Sequence, residues 1–186
     1  MKTVTLCIGH SSKESGAEAS DGKTTEYLFN KILVGVVADE LKKKGVKTHI
    51  VNRLTDGNGT GMTADIRAVN KYETDCIVEF HCNAYDGATE GCEMLHWHSS
   101  TKGKKLAEYV QKAVCKALGN DDRGLKPIKA KGRGAAVLRG SIEPMIIAEP
   151  FFIDNPNDFH NALNRYAELV KAYADGIYRF LEETNA

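Results

Sequence analysis

Short apolar runs without internal charge alternate along this chain with longer stretches whose apolar residues recur every three or four positions. That alternation restricts the fold more than any other feature. Residues 3–8, 47–52, 75–81, 91–98 and 144–148 read as strands, with 135–139 as a further short strand. Residues 23–44, 63–72, 103–118 and 157–183 read as helices. The first helix carries the stripe Phe29, Leu33, Val37 and Leu41, widened by Leu28, Ile32 and Val36, and stops at Gly45, which suits a helix C-terminus. Strand followed by helix, repeated, predicts an α/β fold: a single, mostly parallel twisted sheet of about six strands with helices on both faces. The run 75–81 has little polar alternation and belongs near the centre of that sheet.

With 186 residues, 42% of them hydrophobic and 27% charged, one domain covering residues 1–186 can bury its own core. Lys plus Arg equals Asp plus Glu at 25 each, which argues against nucleic acid or an anionic membrane surface as a partner. No apolar stretch approaches the roughly 20 residues that membrane insertion requires. Cysteines 7, 76, 82, 92 and 115 form no CxxC pair and read as reduced core residues. The run from Val4 to Ile8 is too short for a signal peptide, so synthesis in the cytoplasm is expected.

Four side chains able to bind a metal or move a proton occupy equivalent places. His10 and His81 end the first and third strands, Glu149 follows Met145-Ile146-Ile147-Ala148, and Glu26 sits three residues before Phe29 on the core-facing stripe of its helix. In an open α/β sheet these positions converge at the carboxyl ends of the strands, where such folds bind ligands. Two imidazoles and one carboxylate complete the ligand set of one zinc per chain, with a position left open for water. Glu149 has no packing reason to end an apolar strand, and that makes it the general base.

The segments Ile8-Gly9-His10, Thr25-Glu26, Phe80-His81-Cys82-Asn83-Ala84, Gly91-Cys92-Glu93, Asp122-Arg123-Gly124 and Glu149-Pro150-Phe151-Phe152-Ile153-Asp154-Asn155 resemble, in order and spacing, the motifs of the zinc-dependent N-acetylmuramoyl-L-alanine amidases called amidase type 3. The resemblance spans nearly the whole chain. It implies that His10, Glu26 and His81 hold zinc and that Glu149 is the catalytic glutamate. It implies bacterial peptidoglycan or muropeptides as the substrate, cut at the amide between the lactyl group of N-acetylmuramic acid and L-alanine. Ser11-Ser12 stand where the family often has two glycines, which resembles the phage-lysin branch more than the division amidases. The expectation is therefore a monomeric catalytic domain without a wall-binding module, reaching the wall after host-cell lysis.

The loops 11–22 and 83–89 and the basic stretch 126–133 are expected to wall the substrate groove, with Asn83, Lys129, Lys131 and Arg139 meeting a stem peptide that carries free carboxylates. Glu79 stands where the family commonly has Ser, and reads as a charge at a less buried strand position rather than as a partner of His81. His96 and His98 receive no metal-binding role. A zinc peptidase or deacetylase acting on another amide would use the same four residues. A catalytically silent wall-binding module would keep the fold without needing them.

Overall fold

A computed structural model of the chain describes residues 1–59 and 61–184. Residue 60, in the loop 53–61, and the last two positions of the expected domain 1–186 lie outside the described residues. In chain order the elements are β1 (Thr3–Ile8), α1 (Glu26–Lys43), β2 (Lys47–Asn52), α2 (Met62–Val69), β3 (Cys76–Phe80), β4 (Cys92–Trp97), α3 (Thr101–Leu118), β5 (Asp122–Ile128), α4 (Ala135–Gly140), β6 (Met145–Glu149), α5 (Pro156–Asn164) and α6 (Tyr166–Thr184). The strands form one sheet in the order β2-β1-β3-β6-β4-β5. β2, β1, β3 and β6 run parallel, β4 is antiparallel to β6, and β5 is parallel to β4. The sheet is thus mixed but mostly parallel, and β3, paired on both sides, is buried along its whole length.

Side chains alternate between two unequal cores. Val4, Leu6, Val78, Phe80, Met94, Ile146 and Ala148 face the helices α1, α3, α5 and α6. Cys7, Val51, Ile77, Leu95, Met145 and Ile147 face the much shorter α2 and α4, which contribute Val69, Val137 and Leu138. Helix α1 begins later than residue 23 because the Asp21 carboxylate accepts from the amides of Lys23 and Thr24 and holds a turn there. Thr25 then caps the helix through Leu28 N.

Four expectations are corrected. Residues 135–139 form helix α4, not a strand: a four-residue apolar run between glycines carries too little period to tell the two apart, and Val137 and Leu138 pack together against the sheet. The sixth strand is instead β5, at the sheet edge, where the unpaired outer side tolerates Pro127. The closing helix is broken at Arg165 into α5 and α6, with no Gly or Pro to mark the break. Leu28, Ile32 and Val36 do not widen the buried stripe of α1; they face solvent, 47%, 62% and 38% exposed.

Candidate active site

The strand register assembles the site. The parallel strands β1, β3 and β6 end at one edge of the sheet, and β4, running the other way, begins there with Glu93 directly opposite Glu149. The amide of Gly9 donates to Phe80 O at 3.3 Å and that of His81 to Ala148 O at 3.0 Å. Gly9, His81, Glu149 and Glu93 therefore form a row, one from each neighbouring strand. By the alternation of side chains, this row projects to the face covered by α2 and α4. Glu26 reaches the row from the opposite face, from the first turn of α1.

Glu26 joins the two histidines. Its Oε1 lies 2.8 Å from His81 Nδ1 and its Oε2 lies 3.2 Å from His10 Nε2, and the two imidazoles meet edge to face at 4.8 Å between ring centroids. The Glu26 carboxylate also accepts from Cys82 N at 2.9 Å and from Ala17 N at 3.1 Å, which fixes its plane. Burial works to raise its pKa, but the bonds from His10 and His81 outweigh burial and hold the carboxyl well below the usual range. The donor atoms of His10, Glu26 and His81 all lie within 4.8 Å of one another. Ligands at zinc bond lengths of about 2.0–2.1 Å in a tetrahedron stand about 3.3 Å apart. The His-Glu-His set fits zinc in its chemistry, and the two His–Glu separations, 2.8 and 3.2 Å, lie close to that spacing.

Glu79 overturns its expected exposure. It is fully buried, and its Oε1 lies 2.9 Å from His81 Nε2 and 2.5 Å from Arg53 Nε. Arg53, from the loop after β2, supplies the compensating charge and also reaches Asp65 and the Gly9 carbonyl. His81 is thus clamped between two carboxylates. Burial opposes its protonation, yet Glu26 and Glu79 together push its pKa up to about 10. The ring needs the space above residue 9: a Cβ there would stand 2.0 Å from His81 Nε2, so residue 9 must be glycine. Gly16, at φ +73, brings the 11–22 loop close over Glu26 and the His10 ring, where a Cβ would meet both.

Glu149 lies in the same cavity of 310 Å³ as His10, Glu26 and His81. It is 3% exposed; its Oε1 pairs with Arg133 Nη2 at 3.0 Å, and among the described residues its Oε2 has no hydrogen-bond partner. Burial pushes the carboxyl up to about 7, with His81 and Arg133 resisting. A carboxylate with a free oxygen and a pKa near neutrality is suited to accepting and returning a proton.

The other expected contacts are divided. Asn83 is buried beside the site, donating to Glu93 Oε1 at 2.9 Å and accepting from Arg133 Nη1 at 3.2 Å. Lys131 and Arg139 line an adjoining cavity of 770 Å³ with Met62, Ile66 and Trp97, which shares Arg53, Gly134 and Val137 with the cavity of Glu149, and Lys129 is exposed on the turn after β5. The cation that meets Glu149 is Arg133, within the basic stretch 126–133. His96 is buried with Nδ1 3.0 Å from the Trp97 carbonyl, and among the described residues the metal-capable group comprises His10, Glu26 and His81. The segment 150–155 braces the site's surroundings. Asp154 accepts from Tyr85 N and Gly87 N, and Asn155 donates to the carbonyls of Ala88 and Thr89, so the 83–89 loop is pinned beside the site.

Residues 4–179 match the sequence model of a family described as N-acetylmuramoyl-L-alanine amidase. The amidase LytC of Bacillus subtilis is 25% identical over 163 residues, covering 84% of this chain and 30% of LytC. The chain spans less than a third of the length of the curated relatives it matches. An N-acetylmuramoyl-L-alanine amidase from Clostridium difficile 630 superposes with a TM-score of 0.81 at 25% identity, covering 97% of both chains. The catalytic domain of the CD27L endolysin, targeting Clostridia difficile, superposes with a TM-score of 0.79 at 26% identity, covering 96% of this chain and 98% of that one.

Proposed function

The chain belongs to the N-acetylmuramoyl-L-alanine amidase family, and from that premise we propose that it is a zinc-dependent peptidoglycan hydrolase. The bond it cuts joins the lactyl carbonyl of N-acetylmuramic acid to the amine of L-alanine. The observation that carries this reading is the convergence of His10, Glu26 and His81 in one cavity with Glu149. His10, Glu26 and His81 would hold one zinc, and zinc bound there supplies a Lewis acid for the scissile carbonyl and acidifies a water. Glu149 takes the proton of the attacking water and returns it to the departing amine. Arg133 anchors Oε1 of Glu149 and leaves Oε2 for that exchange. Glu79 fixes the His81 ring through Nε2, so that Nδ1 stays on the side of Glu26.

A phage-type lysin is the form we favour, because Ser11-Ser12 follow the first histidine and an endolysin domain is among the similar structures. Among the described residues no helix is long and apolar enough to cross a membrane. Digestion of purified peptidoglycan tests the reaction. New N-terminal alanine without new reducing sugar, abolished by chelation and restored by zinc, is the expected result. Full activity in protein that elemental analysis finds free of metal would end the zinc reading, and release of a different amine would favour a peptidase or deacetylase.

A further inference from the structure

The row of residues at the sheet edge does not stop at Glu149. It continues through Glu93 on β4 to Arg123 near the start of β5, and beyond it a second cavity of 710 Å³ opens along β4 and β5. This half of the sheet carries Leu95, Lys126 and Ile128 on its open face, and all three line the cavity. Ala84 and Arg133 line both this cavity and the one that holds His10, Glu26, His81 and Glu149, so the two are contiguous.

Cations outnumber carboxylates among the residues lining this cavity. Glu93, 7% exposed, accepts from Arg123 Nε at 2.9 Å and from Asn83 Nδ2 at 2.9 Å, with Lys126 Nζ at 3.7 Å and Arg133 Nη2 at 3.6 Å. Glu93 thus gathers three cations, of which Arg133 is shared with Glu149. Arg123 is further fixed by lying over the Phe152 ring at 5.0 Å, and Lys126 by donating to the Arg123 carbonyl at 2.7 Å. Among the described residues none accepts a hydrogen bond from Nη2 of Arg123. Cations tethered in this way lose little freedom when an anion arrives, and a guanidinium presents a fork matched to a carboxylate. The cavity on the other side of the metal-capable cluster also carries cations, Arg53, Lys131 and Arg139, but Arg53 is paired with Asp65, and Met62, Ile66, Trp97 and Val137 make its wall more apolar.

We propose that Arg123, Lys126 and Arg133 form a carboxylate subsite that receives a free carboxylate of the stem peptide on the leaving-amine side of the scissile bond. The substrate then lies across the sheet edge with its peptide over β4 and β5 and its acyl side toward Trp97. This assignment rests on the amidase reading, but its test does not need turnover. Titration calorimetry with the peptide L-Ala-γ-D-Glu-L-Lys-amide and its carboxamide L-Ala-γ-D-Gln-L-Lys-amide, on the zinc-loaded protein, should show the free acid binding about tenfold or more tightly, with the advantage shrinking as salt rises. Arg123→Gln should bring the ratio of the two affinities close to one. Lys126→Gln, which keeps the Arg123–Glu93 pair and so protects the fold, should reduce the same ratio. Equal binding of the two peptides, failure of both to bind, or an unchanged ratio in both variants would overturn the subsite. Intact discrimination in a protein that releases no alanine from peptidoglycan would sink the amidase reading instead.

Discussion

On one face of the sheet, helices of 18, 18 and 19 residues bury Leu33, Val37, Leu106, Val110, Tyr173 and Phe180. On the other face, among the described residues, two helices of 8 and 6 residues lie over Cys7, Ile77 and Ile147, and the edge strand β5 stays partly exposed. The buried carboxylates carried by strands follow the same division, while Glu26 and Asp158 come from helices of the thick face. Glu79, Glu93 and Glu149 all project from the sheet to the thinly covered face, each matched to a cation from a loop or the edge strand: Arg53, Arg123 and Arg133. One face stores stability through apolar burial. The other gives up burial for cavities and spends the stability on charges that water would otherwise solvate.

The sharpest test of that division lies at the edge. His81→Ala or Glu26→Ala should lose both zinc and activity, whereas Glu149→Ala should keep zinc and fold while kcat falls by about 10²-fold or more. Metal analysis beside initial rates checks both, and loss of metal from Glu149→Ala would make that residue a ligand.

The thick face should behave in the opposite way. Leu33→Ala, at a fully buried position of α1, should cost about 2–5 kcal/mol in denaturant unfolding and leave kcat unchanged where the protein is folded. Val137→Ala, at the wall of the cavity that holds Glu149, should cost about 1 kcal/mol yet alter kcat/KM. A kcat that fell with Leu33→Ala would erase the contrast between the faces.

A smaller effect separates positioning from ligation. Glu79→Gln removes the charge behind His81 and should weaken zinc binding by about 10–100-fold, read by competition with a chromophoric chelator. Unchanged affinity would reduce Glu79 to a partner of Arg53 alone.

A last effect depends on pH. Burial raises the Glu149 pKa to about 7 in the folded protein, above its ordinary value of 4.5 in the unfolded chain. The protonated acid is the form that folding favours, so stability is fully present below pH 4.5 and is lost as pH rises toward 7. In metal-free protein, Glu149→Gln should therefore raise stability by roughly 1–3 kcal/mol above about pH 7, and the gain should vanish near about pH 4. A gain that is the same at both pH values would mean that ionisation of Glu149 is not its source.

The same two faces explain what is legible in the sequence. On the thick face, α1 and α3 show their stripes over 18 residues each, enough turns for the period to declare itself. His10, Glu26, His81 and Glu149 are legible because each stands at the end of such a strand or the start of such a helix. The thin face hides its structure. Six residues of α4 cannot display a helical period, and β5 mixes Gly124, Pro127 and charges because its outer edge pairs with nothing. Glu79 reads as exposed because its compensating Arg53 is 26 residues away in sequence. Arg133 reaches Glu149 only through the fold of a glycine-flanked loop that has no periodic pattern.

Gly9 contributes no side chain, yet the His81 ring occupies the space where its Cβ would be. In a library of all single substitutions selected for lysis, position 9 should tolerate as little as the histidines themselves. Ala there would displace an imidazole rather than unfold the sheet, giving variants that accumulate as soluble protein and bind no zinc. A survey that scored positions only by abundance would pass over residue 9, while one that scored function would place it among the ligands.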